Sequence, residues 1–447
     1  MTVQMQKRSP AEKRAARFQE WMTPRGIRFV SPEAEQAYKA RVQMFMDVID
    51  LKRPQRVPVV PFAGFYPFVY AGVSAHEAMY DYARLGWALK KYHADFLPDS
   101  LAGSPVYGPG KVFEILDYKL YSWPGHGVPD TAPYQALEAE YMKADEYDAL
   151  INDPSAYFMR GYLPRVIGAM SDFSMIGPFT DILELPFTAG SIIPFGLPPV
   201  QKALKQLMEA GQAALEWVGA CRAIDVETTA TLGLPGLSGG FTKAPFDILG
   251  DTLRGTRAIM LDKFRQPQKL LAALERIVPL AIDLGVRSAT NGRKPVVFIP
   301  LHKGADGFMS NDDFKKFYWP TLKALLLGLI DEGLIPSLFV EGGYNQRLDI
   351  IVDQDIPAGS TIWMFDQTDL REVKKRFTGW ACFGGNVPAS MLKVAKPVEI
   401  REYVKRLIDD VAGEGGYMLA TGAVLDDAEA ENLHAMIDAG KENGLYR

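Results

Sequence analysis

The feature that most constrains this chain is a series of short apolar runs in its last quarter, each ending on polar residues. Pro336-Ser-Leu-Phe-Val-Glu341-Gly-Gly, Thr361-Ile-Trp-Met-Phe-Asp366 and Ala381-Cys-Phe-Gly-Gly-Asn386 are separated by segments of helical character. Uninterrupted apolar runs of this length read as strands buried on both faces, and helices between them make a parallel β/α architecture. Such folds keep their chemistry at the C-terminal ends of the strands, where these polar residues fall.

Further strands are read upstream. Arg56-Val-Pro-Val-Val-Pro-Phe62 is one, Ala94-Asp-Phe-Leu-Pro-Asp99-Ser100 a second ending on a carboxylate, Phe241–Phe246 a third, and Pro295-Val-Val-Phe-Ile-Pro300 a fourth leading into Leu301-His302-Lys303-Gly304. Strands near positions 57, 98, 241, 296, 337, 361, 381 and 417 predict a (β/α)8 TIM-type barrel over 51–447. Two amphipathic charged segments, Pro10–Met22 and Ser31–Asp50, predict a helical extension over 1–50, the second opened by Ser31-Pro32-Glu33. Between the second and third strands, residues 104–200 are dense in Gly, Pro and aromatics, which predicts a long insertion acting as a lid.

Composition narrows the function. The 447 residues carry 49 Lys and Arg against 54 Asp and Glu, a net charge of −5, so no global charge favours nucleic acid, and small molecules or proteins are the expected partners. Cys221 and Cys382 are the only cysteines, too few for a disulfide framework or a four-thiolate zinc site. The N-terminal stretch lacks an apolar signal core and no long apolar run occurs, so a cytoplasmic protein without a membrane span is expected.

Four groups are the candidates for catalysis. Asp99 follows Phe-Leu-Pro at an expected strand end, as a general acid or a substrate partner. His302 and Lys303 end a strongly apolar run, where a proton donor or cation meets a developing anion. Glu341 ends a buried strand, and an ionisable group there is paired or functional. If any metal binds, His302 and Glu341 are its expected ligands. Asp366 is expected on the same rim, Asn386 as a helix cap, and His126 in the aromatic insertion.

Several motifs in order and spacing resemble the uroporphyrinogen decarboxylase superfamily, which also contains the corrinoid-linked methyltransferases. They are Asp50-Leu-Lys-Arg-Pro-Gln-Arg-Val-Pro-Val-Val-Pro-Phe62, Ala244-Pro-Phe-Asp-Ile-Leu-Gly-Asp-Thr-Leu-Arg-Gly-Thr256, Met309-Ser-Asn-Asp-Asp-Phe-Lys-Lys-Phe-Tyr-Trp-Pro320, Gly384-Gly-Asn-Val-Pro388 and Gly415-Gly-Tyr-Met-Leu-Ala-Thr-Gly422 with Glu431-Asn432. The resemblance implies a β/α barrel and a homodimer, and it sets Asp99 where the decarboxylases carry a substrate-orienting aspartate. The decarboxylases also need an Arg-Gln-Ala-Gly-Arg segment after the first strand, for a substrate with eight carboxylates; here that place reads Phe62-Ala-Gly-Phe-Tyr-Pro-Phe68, and their late His matches Ala423. The zinc ligands of the thiol-alkylating branch match Val340, Gly342 and Ala423, so a thiolate-rich zinc site is not expected.

Aromatic residues replace the charged lining, and Phe65, Tyr66, Tyr70, Tyr107 and Trp123, with His126 and Asp366, are the expected substrate contacts. The leading expectation is a methyltransferase that moves a methyl group from a small, aromatic methoxy donor to a corrinoid on a separate protein, because no Asp-x-His-x-x-Gly cobalamin motif is present. A decarboxylase or lyase of a small carboxylated substrate is the alternative, with Asp99 protonating the carbanion and Lys303 holding a carboxylate. A barrel that only binds a ligand is the third.

Overall fold

A computed structural model describes residues 8–181 and 184–446. Its centre is a parallel sheet of six strands: β1 (Ser238–Phe241), β2 (Val296–Leu301), β3 (Ile335–Val340), β4 (Ile362–Phe365), β5 (Cys382–Val387) and β6 (Tyr417–Thr421), paired in sequence order. Helices connect successive strands, as parallel pairing requires.

The eight-stranded closed barrel is corrected by this topology. The first expected strand lies beside β6, with Val60 N donating to Leu419 O at 2.8 Å and Leu419 N donating to Pro58 O at 2.9 Å. The second touches the first through Asp99 N to Val59 O, 2.9 Å, and reaches the β1 side through Leu101 N to Pro235 O, 3.0 Å. These bonds make isolated bridges and no continuous ladder, because Pro58, Pro61 and Pro98 bring no N–H. Part of the second strand is in fact helical: Tyr82–Phe96 is one helix, ended by Leu97 in the left-handed conformation at φ 45°. The third strand lies earlier than expected, at Ser238–Phe241, and Pro245–Asp247 begins a helical turn.

Alternate residues of the sheet face two different cores. Val297, Ile299, Leu301, Leu338, Val340, Trp363 and Phe365 pack outward against the connecting helices. Val296, Ile335, Ile362, Cys382 and Met418 point the other way at or next to the starts of their strands, and they pack on Val42, Phe45, Val48 and Ile49. Those four lie on α2 (Pro32–Ile49) at helical spacing, so the N-terminal extension plugs the N-terminal end of the sheet. Both α1 (Pro10–Met22) and α2 begin as the sequence predicts, with Ser9 and Ser31 capping them.

The inward face then climbs from this apolar floor through a ring of aromatics to a polar rim. Phe62 stacks on Phe339 at 4.5 Å and on Phe298 at 5.5 Å, and Phe298 lies 6.0 Å from Phe339. Two residues after Phe339 and Met364 on the same faces come Glu341 and Asp366; two after Gly384 comes Asn386; four after Phe298 comes His302. All four rim residues are partly exposed, whereas the strands below them are mostly buried. They therefore surround an open mouth at the strand C-termini.

Candidate active site

The mouth is organised around a carboxylate that the sequence reading passed over. Asp251 stands in a π-helical turn, Ile248–Leu253, after β1. Its Oδ2 is 2.5 Å from His302 Nδ1 and also meets Lys243 Nζ, while its Oδ1 is 2.9 Å from Lys303 Nζ. Burial works against its charge, but the hydrogen bond from His302 and the positive charge of Lys243 outweigh it and hold Asp251 well below the usual carboxylate range.

Asp247, one helical turn earlier, is fully buried and fixes the backbone instead. It accepts from His302 N at 3.1 Å, from Lys303 N at 3.0 Å and from the Tyr318 hydroxyl at 2.7 Å. Burial, with the neighbouring charge of Asp251, pushes its pKa up. The end of β2 is thus clamped from behind, which sets the direction of the His302 ring.

For His302 burial disfavours the charged ring, yet the bond to Asp251 and the charges of Asp251, Asp247 and Glu341 prevail, so its pKa is raised above 6.5. Its free Nε2 faces Glu341 Oε1 at 3.7 Å. Glu341 is itself raised, chiefly by burial, against the opposing pull of His302 and with smaller contributions from Asp247, Asp251 and Asp366. The charged form of the His302 ring is thus favoured, and its Nε2 lies beside a carboxyl group able to exchange protons with it. Lys303 lies behind the ring and donates to Thr256 Oγ1 at 2.7 Å, with Glu138 Oε2 at 3.8 Å.

Asp366 accepts from Gly342 N at 3.1 Å, which ties β4 to the loop after Glu341. Asn386 donates to Asp366 O and Thr368 O, so it braces the loop after β4 and is not the expected cap of the next helix, whose N-cap is Pro388. His302, Lys303, Glu341 and Asp366 are therefore brought together. Asp99 is placed elsewhere: fully buried, it takes two 2.6 Å bonds from Arg56 and one of 2.7 Å from Val59 N. Its oxygens are committed to this pair, with Arg41 at 3.6 Å.

The aromatic candidates divide. Phe65 packs against Tyr107 at 5.4 Å and Tyr134 at 5.6 Å, and Tyr134 meets Tyr121 at 5.7 Å. Burial, followed by the charge of Asp251, raises the Tyr121 hydroxyl, so this wall ends beside the titratable cluster. Tyr66 is buried among Tyr92 and Phe96, and Tyr70 donates to the surface Asp95. Trp123 donates to the Tyr80 hydroxyl, and His126 stacks on Trp123 and binds Glu114 at 2.8 Å. Tyr66 and Tyr70 thus pack on the helix Tyr82–Phe96, and Trp123 and His126 serve the packing of the insertion.

Asp247, Asp251, Lys243, Tyr318 and the Phe298–Phe339 pair were not anticipated. The i, i+4 carboxylates of Phe-Asp247-Ile-Leu-Gly-Asp251 were the available signal, since that spacing sets both on one helical face. Among the described residues no three His, Cys, Asp or Glu side chains are grouped as a metal requires, and His302 with Glu341 makes only a pair. The donor set does not fit zinc. A concavity of about 320 Å³ adjoins the rim at Thr368 and Asn386, and one of about 550 Å³ lies at the opposite end between α1 and α2; neither contains the His302 cluster.

The model of one family, uroporphyrinogen decarboxylase, matches residues 201–443, more than half of the chain and every strand of the sheet. The chain belongs to the uroporphyrinogen decarboxylase family. A search among curated proteins returned no match. Among solved structures, a methyltransferase from Methanosarcina mazei superposes with a TM-score of 0.57 at 13% identity, over 91% of this chain and 98% of that one. At that identity the likeness is one of fold.

Proposed function

We propose that the protein is a corrinoid-linked methyltransferase that takes a methyl group from a small aromatic methoxy compound. One observation carries this reading: His302, held through Nδ1 by Asp251, turns its Nε2 toward Glu341 in a mouth whose wall below Glu341 is a stack of phenylalanines. Packed on one another, these phenyls leave no gap for a further ring, but the side they turn to the mouth is a flat apolar wall for an aromatic substrate and offers nothing to a polyanion.

The corrinoid, brought by a separate protein, supplies the nucleophile that accepts the methyl group. Everything else falls to the chain's own residues. Phe62, Phe298 and Phe339 orient the ring so that its ether oxygen lies at Nε2 of His302 and its methyl group faces the open mouth. As the C–O bond breaks, its electron pair stays on oxygen, and His302 transfers the Nε2 proton to it, so a neutral phenol leaves. Glu341, at 3.7 Å, returns a proton to the ring from solvent. Asp251 keeps the imidazolium oriented, and Lys243 and Lys303 keep Asp251 ionised.

The test is to mix the protein with cob(I)alamin and a panel of methoxyarenes and follow methyl-cobalt absorbance. Methyl transfer that drops by roughly a hundredfold or more in His302→Gln supports the reading, on the scale of a lost general acid. Release of CO2 from a carboxylated arene, without methyl transfer from any ether, would move the chain to decarboxylation.

A further inference from the structure

An uncharged stretch of chain stands on the outside of this molecule. From Leu185 to Gln201 no residue is charged, and the helix α3 formed at Leu185–Gly196 buries none of its side chains. Leu185 is 89% exposed, and Phe187, Ile192 and Ile193 are exposed on the same helix, as is Phe179 just before it. A helix that is apolar all round is expected to be covered in the working assembly.

Its size decides what can cover it. Taking about 180 Å² for a large apolar side chain, these five expose on the order of 600 Å², the upper end of what the largest patch on a monomer reaches. The patch continues onto the next helix, α4 (Pro198–Leu232), because Phe195 packs in the same cluster as Leu204. Met208, one turn further, and Leu215, two turns beyond that, are both exposed and bring the area to roughly the 800 Å² that one side of a specific complex contributes.

Its position relates it to the mouth. The C-terminal end of α4 abuts α2, since a Cβ on Gly233 would lie 2.3 Å from Ala34 O, and α2 closes the N-terminal end of the sheet. A helix of 35 residues rises about 50 Å, while strands of six residues span about 20 Å. The start of α4 packs Val200 and Ala203 on Met170, Phe173 and Ile176, and shortly before them in the chain Tyr162 donates to Thr252 O in the turn that carries Asp251, so α3 and α4 begin on the side of the molecule where His302 lies.

Charge separates a protein from a lipid surface. No Lys or Arg occurs between Arg165 and Lys202, and the charges that do occur there are Asp172, Asp181 and Glu184. Helices that lie in membranes carry basic residues for the headgroups, and this one has acidic neighbours.

We propose that α3 and the adjoining stripe of α4 dock the corrinoid-carrying protein, through an apolar surface on that partner, and so hold its corrinoid over the mouth. The proposal rests on the methyl-transfer reading above. Its test compares the wild type with the Leu185→Ser/Phe187→Ser/Ile193→Ser variant, using two acceptors, free cob(I)alamin and a cob(I)alamin-loaded corrinoid protein. The expected result is a tenfold or larger rise in KM for the protein acceptor with free cob(I)alamin unaffected, and a wild-type KM that moves less than twofold between 0.1 and 0.5 M salt, as apolar docking requires. Thermal melting and the milder Ile193→Ser check that the variant is folded.

An unchanged KM for the protein acceptor overturns the docking proposal. So does an equal loss with both acceptors at unchanged melting, or a wild-type dimer that the substitutions dissociate without altering that KM, or binding to phosphatidylcholine vesicles that they abolish in the same way. Absence of methyl transfer from the wild type to either acceptor instead removes the methyl-transfer reading beneath it.

Discussion

Asp251→Asn isolates the interaction on which the chemistry depends. The substitution keeps the shape of the side chain, but it removes the charge that His302 Nδ1 meets at 2.5 Å. A hydrogen bond to a charged group contributes about 1.5–3 kcal/mol, and about 1.4 kcal/mol is a factor of ten in a protonation ratio. At any pH in its titration range, the ratio of imidazolium to imidazole should therefore fall by roughly one to two powers of ten. Asp247 and Glu341 still raise the ring, while burial, which pulls it down, is unopposed by the largest partner. The assay is a side-chain NMR titration of the five histidines, with the His302 signal assigned by its absence in His302→Gln. Finding the ring of Asp251→Asn titrating where the wild type does would refute the reasoning. So would a titration moved to higher pH.

Other consequences are separable from this one. Because the folded His302 pKa is raised above its ordinary 6.5, its contribution to stability is complete below that value and is lost as pH rises through the folded one. Denaturant unfolding should thus show a decline across that window which His302→Gln lacks. Asp99→Ala leaves Arg56 and Arg41 without their shared counter-charge, so unfolding free energy should fall by about 3–5 kcal/mol while the His302 titration is unchanged; an unaltered denaturation midpoint would show the pair to be dispensable. Phe62→Leu removes one face of the stack at a cost of about 0.5–1.5 kcal/mol in ring contacts, which should raise KM for a methoxyarene several-fold and leave kcat in place. Methoxyarenes with electron-withdrawing substituents need less protonation of the leaving oxygen, so His302→Gln should impair them least; equal impairment across the series would speak against proton transfer.

The parts of this site that were legible in the sequence are those set by strand periodicity. His302, Glu341 and Asp366 each end an apolar run, and a strand buried on both faces leaves its rim as the only place for such groups. The same logic misplaced Asp99, because the apolar run before it belongs to a helix that ends at Phe96, and the chain turns at Leu97 before Pro98. Asp247 and Asp251 were hidden for the opposite reason: they sit in a helical turn after a four-residue strand containing Gly239 and Gly240, which does not read as a strand. Gly240 is required there, since a Cβ would lie 2.6 Å from Ala289 N on the neighbouring helix. Of the residues in the aromatic-dense stretch, Phe62 joins the ring below Glu341, and Phe65 packs through Tyr134 toward Tyr121. Aromatic density did not distinguish them from Tyr66, Tyr70 and Trp123, whose ring contacts and hydrogen bonds lie among the outer helices and the insertion.

The central claim is that His302 delivers a proton to the departing oxygen while the methyl group is transferred. It is tested most directly by the single-turnover rate of methyl-cobalt formation from a methoxyarene, with free cob(I)alamin as acceptor, measured against pH. The account predicts a wild-type rate that is highest where His302 is protonated and falls as pH rises through the NMR-determined titration of that ring, with a slower, flat profile in His302→Gln. A wild-type rate indifferent to that titration, or a His302→Gln protein that turns over at the wild-type rate, would contradict it.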